Sequence, residues 1–200
     1  MLPAMNAASI REAYLRVRDA AGSGVTVVAA TKYVAAEQFG MLAEAGVEVV
    51  GENRAQDLQR KHALHGPAFR WHFIGHVQSN KARVVDALCE LVHSVDSDST
   101  AQRLSIPFLL EVNLSGEPSK AGVAEHELSG YLERHPRIRG LMTMPPLAAA
   151  PEASRPYFRR LRELAAEHRL AELSMGTSQD WRVALEEGAT MVRVGSTLFA

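Results

Sequence analysis

The chain has 200 residues, 46% of them hydrophobic and 22% charged, and 22 basic residues balance 23 acidic ones for a net charge of −1 with the eight histidines neutral. That balance leaves no basic face for nucleic acid or an anionic membrane. The length suits one domain spanning 1–200 with a substantial core.

The start, Met-Leu-Pro-Ala-Met-Asn, lacks the basic and apolar regions of a signal peptide, and no apolar run reaches membrane-spanning length. Cys89 is the single cysteine, so no internal disulfide can form, and it is expected to pack within Ala-Leu-Cys-Glu-Leu. A soluble protein of the reducing cytoplasm is expected.

Ser9-x-x-Glu12 reads as a capping box opening a helix whose apolar stripe is Ile10, Ala13, Tyr14 and Val17. Strand-like runs then begin near Val25, Val47, Arg70, Leu91, Pro107, Ile138, Glu172 and Met191. Most are nearly continuous apolar segments, as expected of strands covered on both faces in a parallel sheet. Between the second and third runs, His62 and His65 share an amphipathic helix with lysines and arginines, and solvent exposure is expected for them. The step from Leu91 to Pro107 is the tightest. It leaves only Ser99 to Leu104 for a stunted fourth outer helix. Pro145-Pro-Leu-Ala-Ala-Ala-Pro151 is a loop before a helix with the stripe Phe158, Leu161, Leu164 and Ala165. Trp181, Ala184 and Leu185 mark the next helix, closed by Gly188. The arginine-rich stretches Arg134–Arg139 and Arg155–Arg162 are mixed with acids and read as solvated faces.

Eight parallel strands interleaved with helices point to a (β/α)₈ TIM barrel, although such barrels more commonly run to ~250 residues. An open doubly wound sheet is the rival, but neither a Gly-x-Gly-x-x-Gly fingerprint nor a Gly-x-x-x-x-Gly-Lys loop is present. No helix is expected after the last strand, and the amino-terminal helix is expected to take the vacant place in the outer ring.

Chemistry collects where the strands end. The first run, Val25-Thr-Val-Val-Ala-Ala-Thr-Lys32, closes on a lysine, and a desolvated lysine amine loses its proton readily and can form a Schiff base with an aldehyde. A strand-end lysine with its head in water is the plainer reading on spacing alone. Asn53, His76, Asn113 and Thr143 fall at later strand ends. Gly176-Thr-Ser178 precedes a helix expected near Gln179, and Gly195-Ser196 follows the last strand. Loops after strands seven and eight frequently build the phosphate site of such barrels. A Schiff-base lysine facing a phosphate cradle describes pyridoxal 5′-phosphate. Arg193, a permanent donor two residues before Gly195, would then face an unprotonated pyridine nitrogen and weaken the ring as an electron sink. A salt bridge inside the barrel is the competing reading of Arg193. His72 and His76 are spaced His-x-x-x-His, but a strand does not bring them onto one face, and no metal site is expected.

Seven segments carry a family resemblance: Val-Ala-Ala-Thr-Lys32, Gly51-Glu-Asn-Arg, Trp71-His-Phe-Ile-Gly-His-Val-Gln-Ser-Asn-Lys81, Val112-Asn-Leu-Ser-Gly-Glu-Pro-Ser-Lys-Ala-Gly122, Arg139-Gly-Leu-Met-Thr-Met-Pro145, Leu173-Ser-Met-Gly-Thr-Ser178 and Met191-Val-Arg-Val-Gly-Ser196. From about Val25 to Phe199 the chain resembles the YggS/PROSC family, the pyridoxal phosphate homeostasis proteins, single-domain relatives of the alanine racemase barrel. The resemblance implies pyridoxal 5′-phosphate as a Schiff base on Lys32, phosphate contacts from Ser178, Gly195 and Ser196, and Arg193 at the pyridine nitrogen. It places Asn53 and His76 near the ring. It also implies a role in vitamin B6 homeostasis without established turnover. The segment from Asp98 to Ile106 is shorter than the family's, and its usual short tail is missing. The expected partners are pyridoxal phosphate and the apoenzymes that depend on it, with no nucleic acid and no membrane, and the chain itself a monomer or weak homodimer. Two other readings stand beside this one. A racemase-like or decarboxylase activity would need a further acid/base residue, for which adjacent Tyr33 should point the wrong way. A class I aldolase would use the lysine without cofactor.

Overall fold

A computed structural model describes residues 6–117 and 120–199. Strands β1 (Thr26–Ala30), β2 (Val49–Glu52), β3 (Arg70–Phe73), β4 (Leu91–Val95), β5 (Phe108–Glu111), β6 (Ile138–Met142), β7 (Glu172–Thr177) and β8 (Met191–Val194) close into a parallel barrel in sequence order. Closure is sealed by β1 lying beside β8, with Val27 opposite Val192 and Ala29 opposite Val194. The open-sheet alternative is therefore excluded. Every strand begins within two residues of its expected start, because nearly continuous β-branched runs fit a wall covered on both faces.

The outer layer comprises α1 (Ala7–Ala21), α2 (Phe39–Glu44), α3 (Ala55–His65), α4 (Ala82–Leu88), α5 (Asp98–Ala101), α6 (Leu128–Arg134), α7 (Arg155–Glu167) and α8 (Trp181–Glu186). After β8 the chain makes one further helical turn, α9 (Ser196–Phe199), where no helix was expected. Helix α1 packs against β1, α2 and α9, and so fills the expected place in the ring. Its cap differs from the expected box. Asn6 is the N-cap and its Oδ1 accepts from the Ser9 N–H at 2.9 Å, which puts Ser9 inside the first turn. The fourth outer helix is a single turn, even shorter than Ser99 to Leu104 would allow. Helix α8 starts at Trp181 rather than Gln179, with Asp180 as its cap, and ends at Gly188 in the left-handed region (φ +91°).

Most buried apolar side chains, including Phe39, Trp71, Phe73, Phe158, Met175 and Val192, lie between barrel and helices. A separate small cluster of Leu91, Leu109, Met142 and Met191 fills one layer inside the barrel. Cys89 is buried as expected, and burial pushes its thiol up to about 12. Among the described residues, no helix is long and apolar enough to cross a membrane.

The helix-face reading of α3 needs correction. Lys61 is only 1% exposed and points into the protein. His65 stacks on Phe39 with ring centroids 5.6 Å apart and its Nε2 lies 2.9 Å from the Ala36 carbonyl oxygen, while His62 packs on Trp71. Both histidines are half-buried rather than solvated.

Candidate functional site at the carboxyl end of the barrel

Strand β1 stops at Ala30, and Thr31 to Tyr33 form a turn above it. Thr31 is fully buried, whereas Lys32 is exposed, with its Nζ 4.8 Å from the centre of the Tyr33 ring. Lys32 thus has its head in water, as the plainer of the two readings had it, and is not desolvated. The turn lifts Lys32 off the wall to the rim. It also removes the strand alternation that would have kept Lys32 and Tyr33 apart, and Tyr33 itself is 89% exposed.

The turn is held from below by a buried group that the sequence reading missed. Lys61 Nζ reaches from α3 to donate to the Thr31 carbonyl at 2.8 Å and to Glu52 Oε1 at 2.6 Å. Thr31 Oγ1 donates to the same carboxylate oxygen at 2.5 Å. Burial pushes the Glu52 carboxyl up, against the lowering effect of its bonds to Lys61 and Thr31. Its Oε2 has no hydrogen-bond partner. The spacing of Lys61 in a run of charged helical residues gave no hint of this, because its partners come from two other elements.

At the far side of the β1 strand end, Gly195 follows β8 with its backbone close enough to Ala30 that a Cβ would stand 3.2 Å from the Ala30 carbonyl oxygen. The loops after β7 and β8 are tied together by Ser178. Its Oγ accepts from the N–H of Gly195 at 2.9 Å and from that of Thr197 at 3.2 Å. Thr197 Oγ1 donates back to the Ser178 carbonyl at 3.3 Å. Gly176 permits this arrangement: it has φ +89°, and a Cβ there would come 2.5 Å from that of Ala184 on α8. Two main-chain donors therefore converge on one oxygen, which is the donor set a phosphate oxygen needs. Thr197 belongs to this group and was not expected there. Ser196 is exposed on the same turn.

Arg193 lies inside the barrel, 4% exposed. Its Nη1 donates to Ser174 Oγ at 2.5 Å and its Nη2 to the Thr143 carbonyl at 3.2 Å. Among the described residues it makes no ion pair, so the salt-bridge reading gives way to a neutral hydrogen-bond setting. Burial lowers its pKa to about 10, which leaves it charged at neutral pH. The charge of Glu111 on β5 opposes this lowering, and that of Asp180 less so. Burial raises the Glu111 carboxyl, the field of Asp96 adds to this, and those of Arg193 and His76 oppose it.

Asn53 is half-buried where the ends of β2 and β3 meet, its backbone so close to Gly75 that any Cβ on Gly75 would overlap it. His76 is exposed and its Nδ1 lies 3.4 Å from Asp96 Oδ2. Ser178, Gly195 and the Lys32 turn are thus brought side by side, Arg193 sits deeper in the barrel, and His76 stands at the rim in contact with a carboxylate. The segment Val112 to Gly122 also opens at this end, although its Pro118 and Ser119 lie outside the described residues. Asn113 Nδ2 braces that loop by donating to the Glu117 carbonyl at 2.9 Å. Among the described residues, no group of three or more His, Cys, Asp or Glu side chains is arranged to hold a metal ion.

This barrel, with Ser178 tying together the turns after its last two strands, matches the family model for the alanine racemase N-terminal domain over residues 5–200. A pyridoxal phosphate homeostasis protein of Pseudomonas aeruginosa is 42% identical over 211 aligned positions, covering 96% of this chain and 91% of the relative. Another, from Aquifex aeolicus, is 40% identical, covering 86% of this chain and 85% of the relative. The solved structure of PipY from Synechococcus elongatus, with pyridoxal phosphate (PLP) bound, superposes with a TM-score of 0.88 at 34% identity, over 96% of this chain and all of that one. A lysine/ornithine decarboxylase from Vibrio vulnificus shares the fold at 14% identity and a TM-score of 0.72, with 62% of its length covered. The chain belongs to the pyridoxal phosphate homeostasis protein family, whose barrel is that of the alanine racemase N-terminal domain.

Proposed function

We propose that this chain binds pyridoxal 5′-phosphate and serves intracellular vitamin B6 homeostasis, holding the cofactor on Lys32 without enzymatic turnover. The observation that carries this reading is the pair of N–H groups, from Gly195 and Thr197, converging on Ser178 Oγ beside the Lys32 turn. When bound, pyridoxal phosphate supplies an aldehyde carbon that condenses with an amine as water leaves, an anionic phosphate, and a pyridine nitrogen that accepts a hydrogen bond. The residues present fit those three demands. Lys32 offers an accessible amine at the rim. Ser178, Gly195 and Ser196, joined by Thr197, offer neutral donors to the phosphate. Arg193 offers a donor that cannot accept, which leaves the ring nitrogen without a proton and the ring a poor electron sink. Asn53 and His76 flank the ring. A carrier with these properties grips its cofactor while giving it little power to stabilise a carbanion.

The apoenzymes that depend on the cofactor are the natural recipients in this reading, and the cytoplasm is where they would meet it. The test is an absorption spectrum and an intact mass after borohydride treatment, before and after Lys32→Ala. The wild type should be yellow with the vitamer and yield a stable adduct at the Lys32 peptide; the alanine variant should fold and lose both. An adduct on another lysine would end the assignment of Lys32. No colour at all, with a carbonyl substrate trapped instead, would favour the aldolase reading, and turnover of an L-amino acid to its D-form would favour the racemase.

A further inference from the structure

A row of polar side chains crosses the barrel interior, and beyond Arg193 none of them is among the proposed cofactor contacts. Ser174 on β7 and His93 on β4 are not on neighbouring strands, yet Ser174 Oγ lies 2.7 Å from His93 Nδ1, which is possible only across the inside of the barrel. His93 Nε2 lies 2.9 Å from His72 Nδ1 on β3. His72 Nε2 lies 3.3 Å from Glu90 Oε1, at the opposite mouth of the barrel just before β4, and Arg70 Nε holds the same oxygen at 2.6 Å. With Arg193 on Ser174, the row runs Arg193, Ser174, His93, His72, Glu90. The first four are buried.

The carboxylate end, with both buried rings neutral, fixes the direction of every bond in the row. A guanidinium only donates and a carboxylate only accepts. Ser174 Oγ accepts from Arg193, and because a neutral His93 that donates from Nε2 presents a lone pair at Nδ1, the Ser174 proton goes to His93 Nδ1. His93, neutral in its buried place, then carries its proton on Nε2 and donates to His72 Nδ1. His72 in turn carries its proton on Nε2 and donates to Glu90. The opposite polarity would set the His72 Nε2 lone pair against a carboxylate oxygen. Only one tautomer of each ring satisfies both ends.

We propose that Ser174, His93 and His72 are positioning residues that orient the Arg193 guanidinium through a one-way hydrogen-bond chain anchored on Glu90. The inference rests on the cofactor reading for its purpose. The chain satisfies the donors of Arg193 with neutral acceptors, Ser174 Oγ and the Thr143 carbonyl, so its charge is not cancelled by a contacting carboxylate. That full charge, aimed by a fixed scaffold, is what keeps a proton off the ring nitrogen.

The experiment uses the full chain with ¹⁵N-labelled histidine. Long-range ¹⁵N–¹H spectra of the protein free of cofactor should show His72 and His93 neutral and protonated on Nε2 alone. Glu90→Gln, whose amide can also donate, should give His72 a mixture of tautomers while the protein stays folded. Ser174→Ala should weaken pyridoxal phosphate binding about tenfold, the worth of one buried charge-assisted hydrogen bond, and shift the absorption band of the bound cofactor, and Ser174→Thr should restore both. An Nδ1–H tautomer or an imidazolium at either ring in the free wild type overturns the chain, as does an unchanged band and affinity in a folded Ser174→Ala variant. A wild type with the expected tautomers that binds no pyridoxal phosphate overturns the purpose and the cofactor reading together, and leaves the hydrogen-bond order standing.

Discussion

Lys61 is a buried charge whose removal should be costly. Its ammonium is surrounded by the Thr31 carbonyl, Glu52 and the face of Phe39, whose ring centre lies 5.2 Å away. Removing it alone strands a buried carboxylate whose second oxygen already lacks a partner. Lys61→Met should therefore destabilise by about 3–5 kcal/mol in urea titration, whereas Lys61→Met combined with Glu52→Leu should recover most of that loss. If the single variant unfolds at the wild-type urea midpoint, the pair is not the anchor described. Nothing in the sequence singled out Lys61, because helical periodicity reports only the helix's own faces. The carboxylate it meets is at a strand end, and nothing local announces that.

Among the elements, β6 and β7 pair at Gly140, where a Cβ would overlap the Glu172 carbonyl oxygen. Gly140→Ala should break that pairing and cost on the order of 3 kcal/mol of thermal stability. Gly40, inside α2 with open space around it, is the contrasting case. Gly40→Ala should raise stability by up to about 1 kcal/mol, through helix propensity and a less flexible unfolded chain. A melting temperature that does not fall in Gly140→Ala would contradict the contact there, and one that does not rise in Gly40→Ala would contradict the open space around Gly40. Strand starts were legible to within two residues, since branching and apolar run length are local properties. Helix ends were less so. Asn6 displaced Ser9 as the first cap, and α5 is a single turn, shorter than the path from β4 to β5 leaves room for.

Taken as a closed barrel, the protein carries two neutral histidines in its interior, and this sets how its stability responds to acid. Burial lowers His72 to about 4, with the field of Glu90 opposing this and that of Arg70 adding to it. Burial likewise holds His93 well below its ordinary value, helped by the fields of His72 and Arg193. Above pH 6.5 neither the folded nor the unfolded chain protonates these rings. Between 6.5 and about 4 the unfolded chain takes up protons that folded His72 refuses, so stability is present at neutral pH and is lost as the pH falls. For His72 the loss should reach about 3 kcal/mol by the bottom of that window, measurable as a falling urea midpoint. A flat profile across it would mean that the rings are charged in the fold.

From residue types and spacing alone came the eight-strand order, the strand ends that face the site, and the chemical kinds of group found there: an amine, hydroxyls, small glycine loops and an arginine. These are properties of short stretches, and short stretches carry them. Closing the barrel settled everything that depends on which side chains meet. It lifted Lys32 onto an exposed turn, sank Lys61 beneath that turn, and turned Arg193 toward Ser174 rather than a carboxylate. It also brought His93 to Ser174 across 81 residues of chain. Such contacts join elements far apart in the sequence, in the last case two strands that are not neighbours in the sheet, so no local pattern encodes them, and they exist only once β1 has found β8.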